Sequence, residues 1–167
     1  AWLRNREATA MVFDTNDTER FRVASDAYAL GIGTTDVESW AATRPSIEFT
    51  SAAISSLTSA PQLNLLLNAY HDGGWKFKTA DEAALYQMEG SGSHYWYTSA
   101  SGSADAAITW GTPKMLLTNA GMLLVGDTAN ANMTVGLTIN QGASDDEILA
   151  FKSSDIGHGL SSITETD

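Results

Sequence analysis

Apolar and polar positions alternate along this chain in short runs rich in Val, Ile, Thr, Phe, Tyr and Trp, and clusters of Gly, Asn, Asp and Ser interrupt them. Such runs predict short strands and tight turns, so the expected class is all-β. Only Thr79–Met88, "TADEAALYQM", carries a helical cue: Thr79 is a possible N-cap with Glu82 three residues on. The segment is short and "ALYQ" can equally start a strand, so we assign it to strand.

Turn chemistry proposes four hairpins. In "LNLLLNAYHDGGWKFKT" the group Asp72-Gly73-Gly74 divides two β-like arms, which are expected to pair. "LYQMEGSGSHYWYTS" turns at Gly90-Ser91-Gly92-Ser93, so Tyr95 and Tyr97 share one face and Trp96 takes the other. "MLLTNAGMLLV" turns at Asn119-Ala120-Gly121, and "ILAFKSSDIGHGL" around Ser153-Ser154-Asp155.

The alternation is broken at Leu65-Leu66-Leu67, Met115-Leu116-Leu117 and Met122-Leu123-Leu124-Val125, where both strand faces want burial. Neighbouring chains can supply that cover as well as one chain's own sandwich. Three chains wrapped around a shared axis would bury apolar surface between subunits, which is how small modules with little core become stable.

One phrase is written twice, as "RFRVASDAYALGIGTTD" at Arg20–Asp36 and "KMLLTNAGMLLVGDTAN" at Lys114–Asn130. Each is a basic residue, an apolar run, a polar turn, a second apolar run and a Gly-x-Thr or Gly-Asp-Thr close. We expect repeated modules with glycine turns at Gly31, Gly33, Gly73, Gly74, Gly121 and Gly126. The divisions expected from Pro45, Pro61 and the polar "DTANAN" stretch are residues 1–45, 46–130 and 131–167. A start without Met and an end inside a β-like pattern suggest a segment of a longer protein.

Composition narrows the function. The 167 residues are 43% hydrophobic and 17% charged, which favours ordered structure. A net charge of −11 with nine Lys and Arg gives no footprint for nucleic acid or an anionic membrane surface. No apolar run is long enough to span a membrane as a helix. Without Cys there is no disulfide, thiolate metal ligand or thiol nucleophile.

Catalytic patterns find little purchase. "GIGTTD" lacks the third Gly and the phosphate Lys of nucleotide loops, and reads as a turn. "DTNDTE" resembles the start of a calcium loop but has Glu19 where Gly is needed and Ser25 where the twelfth-position Glu belongs, so it too reads as a solvated turn. His71, His94 and His158 lack metal-ligand spacing. Asp145-Asp146-Glu147 are neighbours whose side chains diverge on a strand, unlike a glycosidase pair. No G-x-S-x-G elbow is present. We therefore expect no enzymatic activity and no cofactor or metal. The candidate ligand contacts are instead aromatic: Trp75, Tyr86, Tyr95, Trp96, Tyr97 and Trp110, which either form core or offer stacking platforms to sugars.

These residues carry a resemblance. "ERFRVASDAYALGIGTTD" resembles a repeated basic-apolar, turn, G-I-G-T-T element of bacteriophage tail-fibre proteins. The segment from "NAYHDGGWKFK" through "SHYWYTSASGSADAAITWGTPKMLLTNAGMLLVGDT" is similar to a recurrent tail-fibre module of the form N-A-Y-x-D-G-x-W-K-(Y/F)-K. "GLTINQGASDDEILAFKSSDIGHGLSSITETD" is similar to sequence that follows such modules. Together these cover residues 11–36 and 63–167. The resemblance implies an extracellular virion appendage: a homotrimeric, intertwined, β-rich fibre segment. Its implied partners are other virion tail proteins and a host surface glycan or outer-membrane receptor. A glycan-depolymerising tailspike-like enzyme and a cellular surface adhesin are the alternatives.

Overall fold

The computed structural model describes residues 9–25, 28–144 and 148–149. Among them there are thirteen strands and no helix, so the chain is all-β. The strands are β1 (Met11–Thr15), β2 (Thr18–Val23), β3 (Ala29–Ile32), β4 (Ser46–Glu48), β5 (Ala52–Ser56), β6 (Gln62–Leu67), β7 (Ala69–His71), β8 (Trp75–Phe77), β9 (Ala83–Glu89), β10 (His94–Ser99), β11 (Met115–Leu117), β12 (Met122–Val125) and β13 (Gly136–Ile139). Of Thr79–Met88, assigned to strand, residues 83–88 lie in β9, while Thr79–Glu82 form the loop that precedes it.

Eleven strands form one open sheet in chain order, and only the β7–β8 hairpin leaves it, between β6 and β9. Neighbours are antiparallel except β3–β4 and β12–β13, which are parallel. The twice-written phrase forms the same local pairing each time. β2–β3 and β11–β12 are antiparallel hairpins, and a glycine at positive φ follows each, Gly33 at 65° and Gly126 at 72°. The chain then crosses to a parallel neighbour. The sheet runs on through residues 45–46 and 130–131 by those two parallel pairings.

Three turns form where their chemistry placed them. Gly73 (φ 67°) reverses β7 into β8, Gly92 (φ 80°) joins β9 to β10, and Gly121 (φ 89°) joins β11 to β12. "DTNDTE" is the β1–β2 hairpin: Asn16 and Asp17, at φ 53° and 54°, form a two-residue loop inside the Thr15–Thr18 pair. Gly31 lies inside β3 and not in a turn, where a Cβ would run into the Val37 side chain. Gly74 does not take the left-handed conformation that Gly73 does. The proposed turn at Ser153–Asp155 lies outside the described residues.

One expected pairing differs. The Leu63–Leu67 arm does not pair with the segment after Gly74; β6 lies between β5 and β9. Asn68 is the cause, because its left-handed backbone (φ 53°) ends β6. Its side chain then closes the neck of the excursion. Asn68 Oδ1 accepts from the Thr79 amide and hydroxyl, both at 2.8 Å, and Nδ2 donates to the Thr79 and Glu82 carbonyls at 3.1 and 2.9 Å.

The β7–β8 hairpin packs on one face of the sheet. Ala29, Ala53, Leu66, Ala83 and Leu85 meet Ala69, Tyr70 and Phe77, with Trp40 and Ile108 supplied by the loops on either side. The other face carries an unbroken register row. It runs from Met11, Val23 and Leu30 through Ile47, Ile54, Leu65, Tyr86 and Trp96 to Met115, Val125 and Ile139. Every member is apolar or aromatic. None of the described residues covers its middle: Leu65 is 41% and Ile54 37% exposed, whereas their strand neighbours Leu66 and Ser55 are 4% and 1%. Within the described residues, then, the leucine run in β6 has only one buried face.

Candidate functional site

The six candidate aromatics divide between the two faces because strand side chains alternate. Tyr86 and Trp96 are cross-strand partners on the open face, their ring centroids 4.9 Å apart and planes 22° from parallel. His94 extends this ladder, with its Nδ1 2.6 Å from the Tyr86 hydroxyl. Beside it is a shallow depression of about 350 Å³ lined by Leu65, Leu67, Ala84 and Thr98 along with the two rings. A pair of planar rings over an apolar floor suits a flat apolar or sugar face.

Trp75, Tyr95, Tyr97 and Trp110 belong to the opposite side. Trp75 meets Trp110 edge-on at 6.1 Å, Tyr97 lies 6.3 Å from Trp110, and Tyr95 stacks along Tyr97 at 6.0 Å. Trp75, Tyr97 and Trp110 pack against the core. The Arg44 guanidinium sits 4.8 Å over the Trp75 ring while its Nη1 donates to Gln62 Oε1 at 2.8 Å. His71 approaches Trp75 edge-on at 5.0 Å. Burial pushes the His71 imidazole below its ordinary range, and the neighbouring Arg44 charge adds to this. His71 Nδ1 and Trp110 Nε1 are buried without a protein partner. The predicted aromatics therefore form two clusters, one on the open face and one in which Trp75, Tyr97 and Trp110 pack against the core and Tyr95 stacks on Tyr97.

A charged cluster beneath the sheet was not anticipated. Glu48 is 1% exposed, yet its carboxylate is fully engaged. Oε2 accepts from Trp40 Nε1 at 2.7 Å and from the Glu38 amide at 3.0 Å, and Oε1 accepts from Lys78 Nζ. Lys78 also donates to the Asp36 carbonyl at 2.9 Å and lies 3.7 Å from the Glu38 carboxylate. Burial raises the Glu38 carboxyl above its usual range, opposed by Lys78. The buried Tyr70 hydroxyl, raised chiefly by burial, donates to Asp105 Oδ1 at 2.5 Å. These groups tie the 33–41 loop and the β7–β8 excursion to the sheet. The Glu48 and Asp105 carboxylates are occupied by fixed donors, which suits holding a loop better than moving a proton.

Among the described residues, no three of His, Cys, Asp and Glu come together as metal ligands. No helix there is long and apolar enough to cross a membrane. Compared with known protein families, curated proteins and solved structures, the chain matches none.

Proposed function

We propose that this chain is a structural segment of a bacteriophage tail fibre or a related virion appendage. It is non-catalytic and homotrimeric, and contributes to host-surface attachment outside the cell. The observation that carries this reading is the ribbon topology: eleven strands follow one another in chain order along one open sheet. At a strand spacing of about 4.8 Å, ten gaps give a ribbon about 48 Å long. A chain that advances along one direction as it is read is suited to a shaft. The hairpin, glycine and parallel-strand sequence at Arg20–Glu48 and again at Lys114–Ile139 supports a repeated module. The sequence resemblance points the same way.

In this reading the partners are two further copies of the chain, other tail proteins, and a glycan or outer-membrane receptor on the host. Three weak contacts on one fibre would act together through high effective concentration. The test is to raise antibodies against the purified chain and image labelled virions, with solution mass measured alongside. Label on a virion appendage and a three-chain mass are expected. Absence of label from all virion parts, or a single-chain mass at every concentration, would overturn the proposal.

A further inference from the structure

We infer that the open face of the sheet, centred on Ile47, Ile54, Leu65, Tyr86, Trp96 and Met115, is the surface by which copies of this chain bind one another. This rests on the fibre reading and assigns the assembly contact to one face of the sheet and to named residues. Three observations carry it.

The first is an inversion of the usual pattern in three successive strands. In β4, Glu48 points into the chain while Ile47 points out. In β5, Ser55 is buried and Ile54 exposed; in β6, Asn64 is buried, with Leu63, Leu65 and Leu67 exposed. A strand buried on one face turns its apolar set toward the larger core. Here the larger apolar set, Ile47, Ile54, Leu63, Leu65 and Leu67, faces away from the chain's own core, while the inward positions mix Ala53 and Leu66 with Glu48, Ser55 and Asn64. Most of the apolar surface of these strands therefore asks for cover from outside the single chain.

The second is charge. The chain carries 20 Asp and Glu. None of them, and no Lys or Arg, falls in the central row, or in the flanking rows Ser56, Leu63, Met88, His94, Leu117 and Ala52, Leu67, Ala84, Thr98. An acidic chain with one charge-free face meets least repulsion when copies join by that face.

The third is area. Three rows about 7 Å apart along a ribbon about 48 Å long span about 700 Å². This uncharged face, in which Ser56, His94 and Thr98 stand among apolar side chains, is larger than the apolar patch of a typical monomer, about 300–600 Å². It approaches the roughly 800 Å² per partner that a stable interface buries. Because the row follows the ribbon axis, copies can share it along their whole length. Tyr86, His94 and Trp96 then lie between chains and are not displayed to sugars.

The natural absence of Cys allows a direct test. Leu65→Cys places one thiol in the row, and Ser101→Cys places one in an exposed loop as a control. Maleimide labelling rates are measured on the native proteins, together with their masses by sedimentation. The expected result is a multi-chain mass and labelling of Leu65→Cys slower by roughly tenfold or more, since the thiol reacts only when the interface opens. In the single chain it would label freely. A multi-chain mass with equal rates would overturn the assignment of this face and leave the trimeric reading standing. A single-chain mass with equal rates would overturn both. A single-chain mass with a protected thiol would assign the cover to the chain's own remaining residues and so overturn the inference. Leu65→Glu gives a second readout: mass is expected to fall to one chain with the β spectrum retained, and an unchanged multi-chain mass would count against this face.

Discussion

The pair Lys78–Glu48 offers the sharpest test of the packing. The two side chains are 6% and 1% exposed, so solvent cannot replace either partner. Lys78→Met removes the only cation that the described residues bring to Glu48 and Glu38, leaving two carboxylates beneath the sheet. Removing one partner of a buried pair costs about 3–5 kcal/mol, most of it the penalty of the stranded charge. For a chain of this size each kcal/mol is worth roughly 2–4 °C, so Tm should fall by roughly 10 °C. Adding Glu48→Gln removes the stranded charge and leaves an amide oxygen to accept from Trp40 Nε1 and the Glu38 amide. The double variant should therefore be more stable than the sum of the two single losses implies, with a coupling of about 1–3 kcal/mol. Thermal melts followed by circular dichroism at fixed protein concentration measure all four corners of the cycle. A Lys78→Met loss under about 1 kcal/mol, or strict additivity, would refute a buried, mutually dependent pair.

Other predictions concern backbone, packing and pH. Gly126→Ala puts a Cβ into the Asn140 carbonyl at a left-handed position. Conformation alone should cost about 1–2 kcal/mol, and a melting temperature within error of wild type would exclude the β12–β13 crossing described. Gly102→Ala drives a Cβ into the buried Phe77 ring and should cost about 1–3 kcal/mol in the same assay; a neutral result would mean that the 100–114 loop does not pack there. Asp17→Gly relieves a left-handed Asp in the two-residue β1–β2 loop and should stabilise by up to about 1 kcal/mol, whereas clear destabilisation would contradict that turn. His71 has its folded pKa depressed, so the unfolded chain takes up the proton first. Its contribution is full above about pH 6.5 and is lost as pH falls below that value. His71→Phe should flatten that stretch of the Tm-against-pH curve, and an unchanged slope would show that another group sets it.

The hairpin turns were legible because each uses local chemistry: glycine at positive φ, or Asn16-Asp17 between paired threonines. β9 and β10 could likewise be read from their turn, and the opposition of Trp96 to Tyr95 and Tyr97 followed from alternation alone. The partner of β6 could not be read that way. It depends on Asn68 ending the strand and then binding Thr79 and Glu82, at 11 and 14 residues' remove. Nor was the inward direction of Glu48 legible, since an isolated Glu between Ile47 and Phe49 reads as the solvent side of a strand. Its partners Trp40 and Lys78 are 8 and 30 residues away, and no local spacing marks them. Gly31 looked like a turn residue beside Gly33, but it is needed for the close approach of Val37 to β3.

The same inversion that hid Glu48 bears on how the aromatic residues can be used. A sugar platform needs a ring with a free face, and a subunit interface needs that face covered, so the two uses compete for Tyr86 and Trp96. The charge-free row through both rings favours the covered use, because leaving its apolar side chains in water forgoes burial worth roughly 25 cal/mol per Å² of apolar surface. On the opposite side Trp75, Tyr97 and Trp110 already spend much of their surface on one another and on the core. At Trp75 a sugar would meet the Arg44 guanidinium over the ring and the edge-on contact with Trp110, not an open stack. On the proposed fibre reading, host contact by this segment would fall to groups outside the central row, while the row itself would hold the copies together. Of the two uses open to the aromatic residues, core or sugar platform, the same proposal assigns them mainly to packing, within the chain and between its copies.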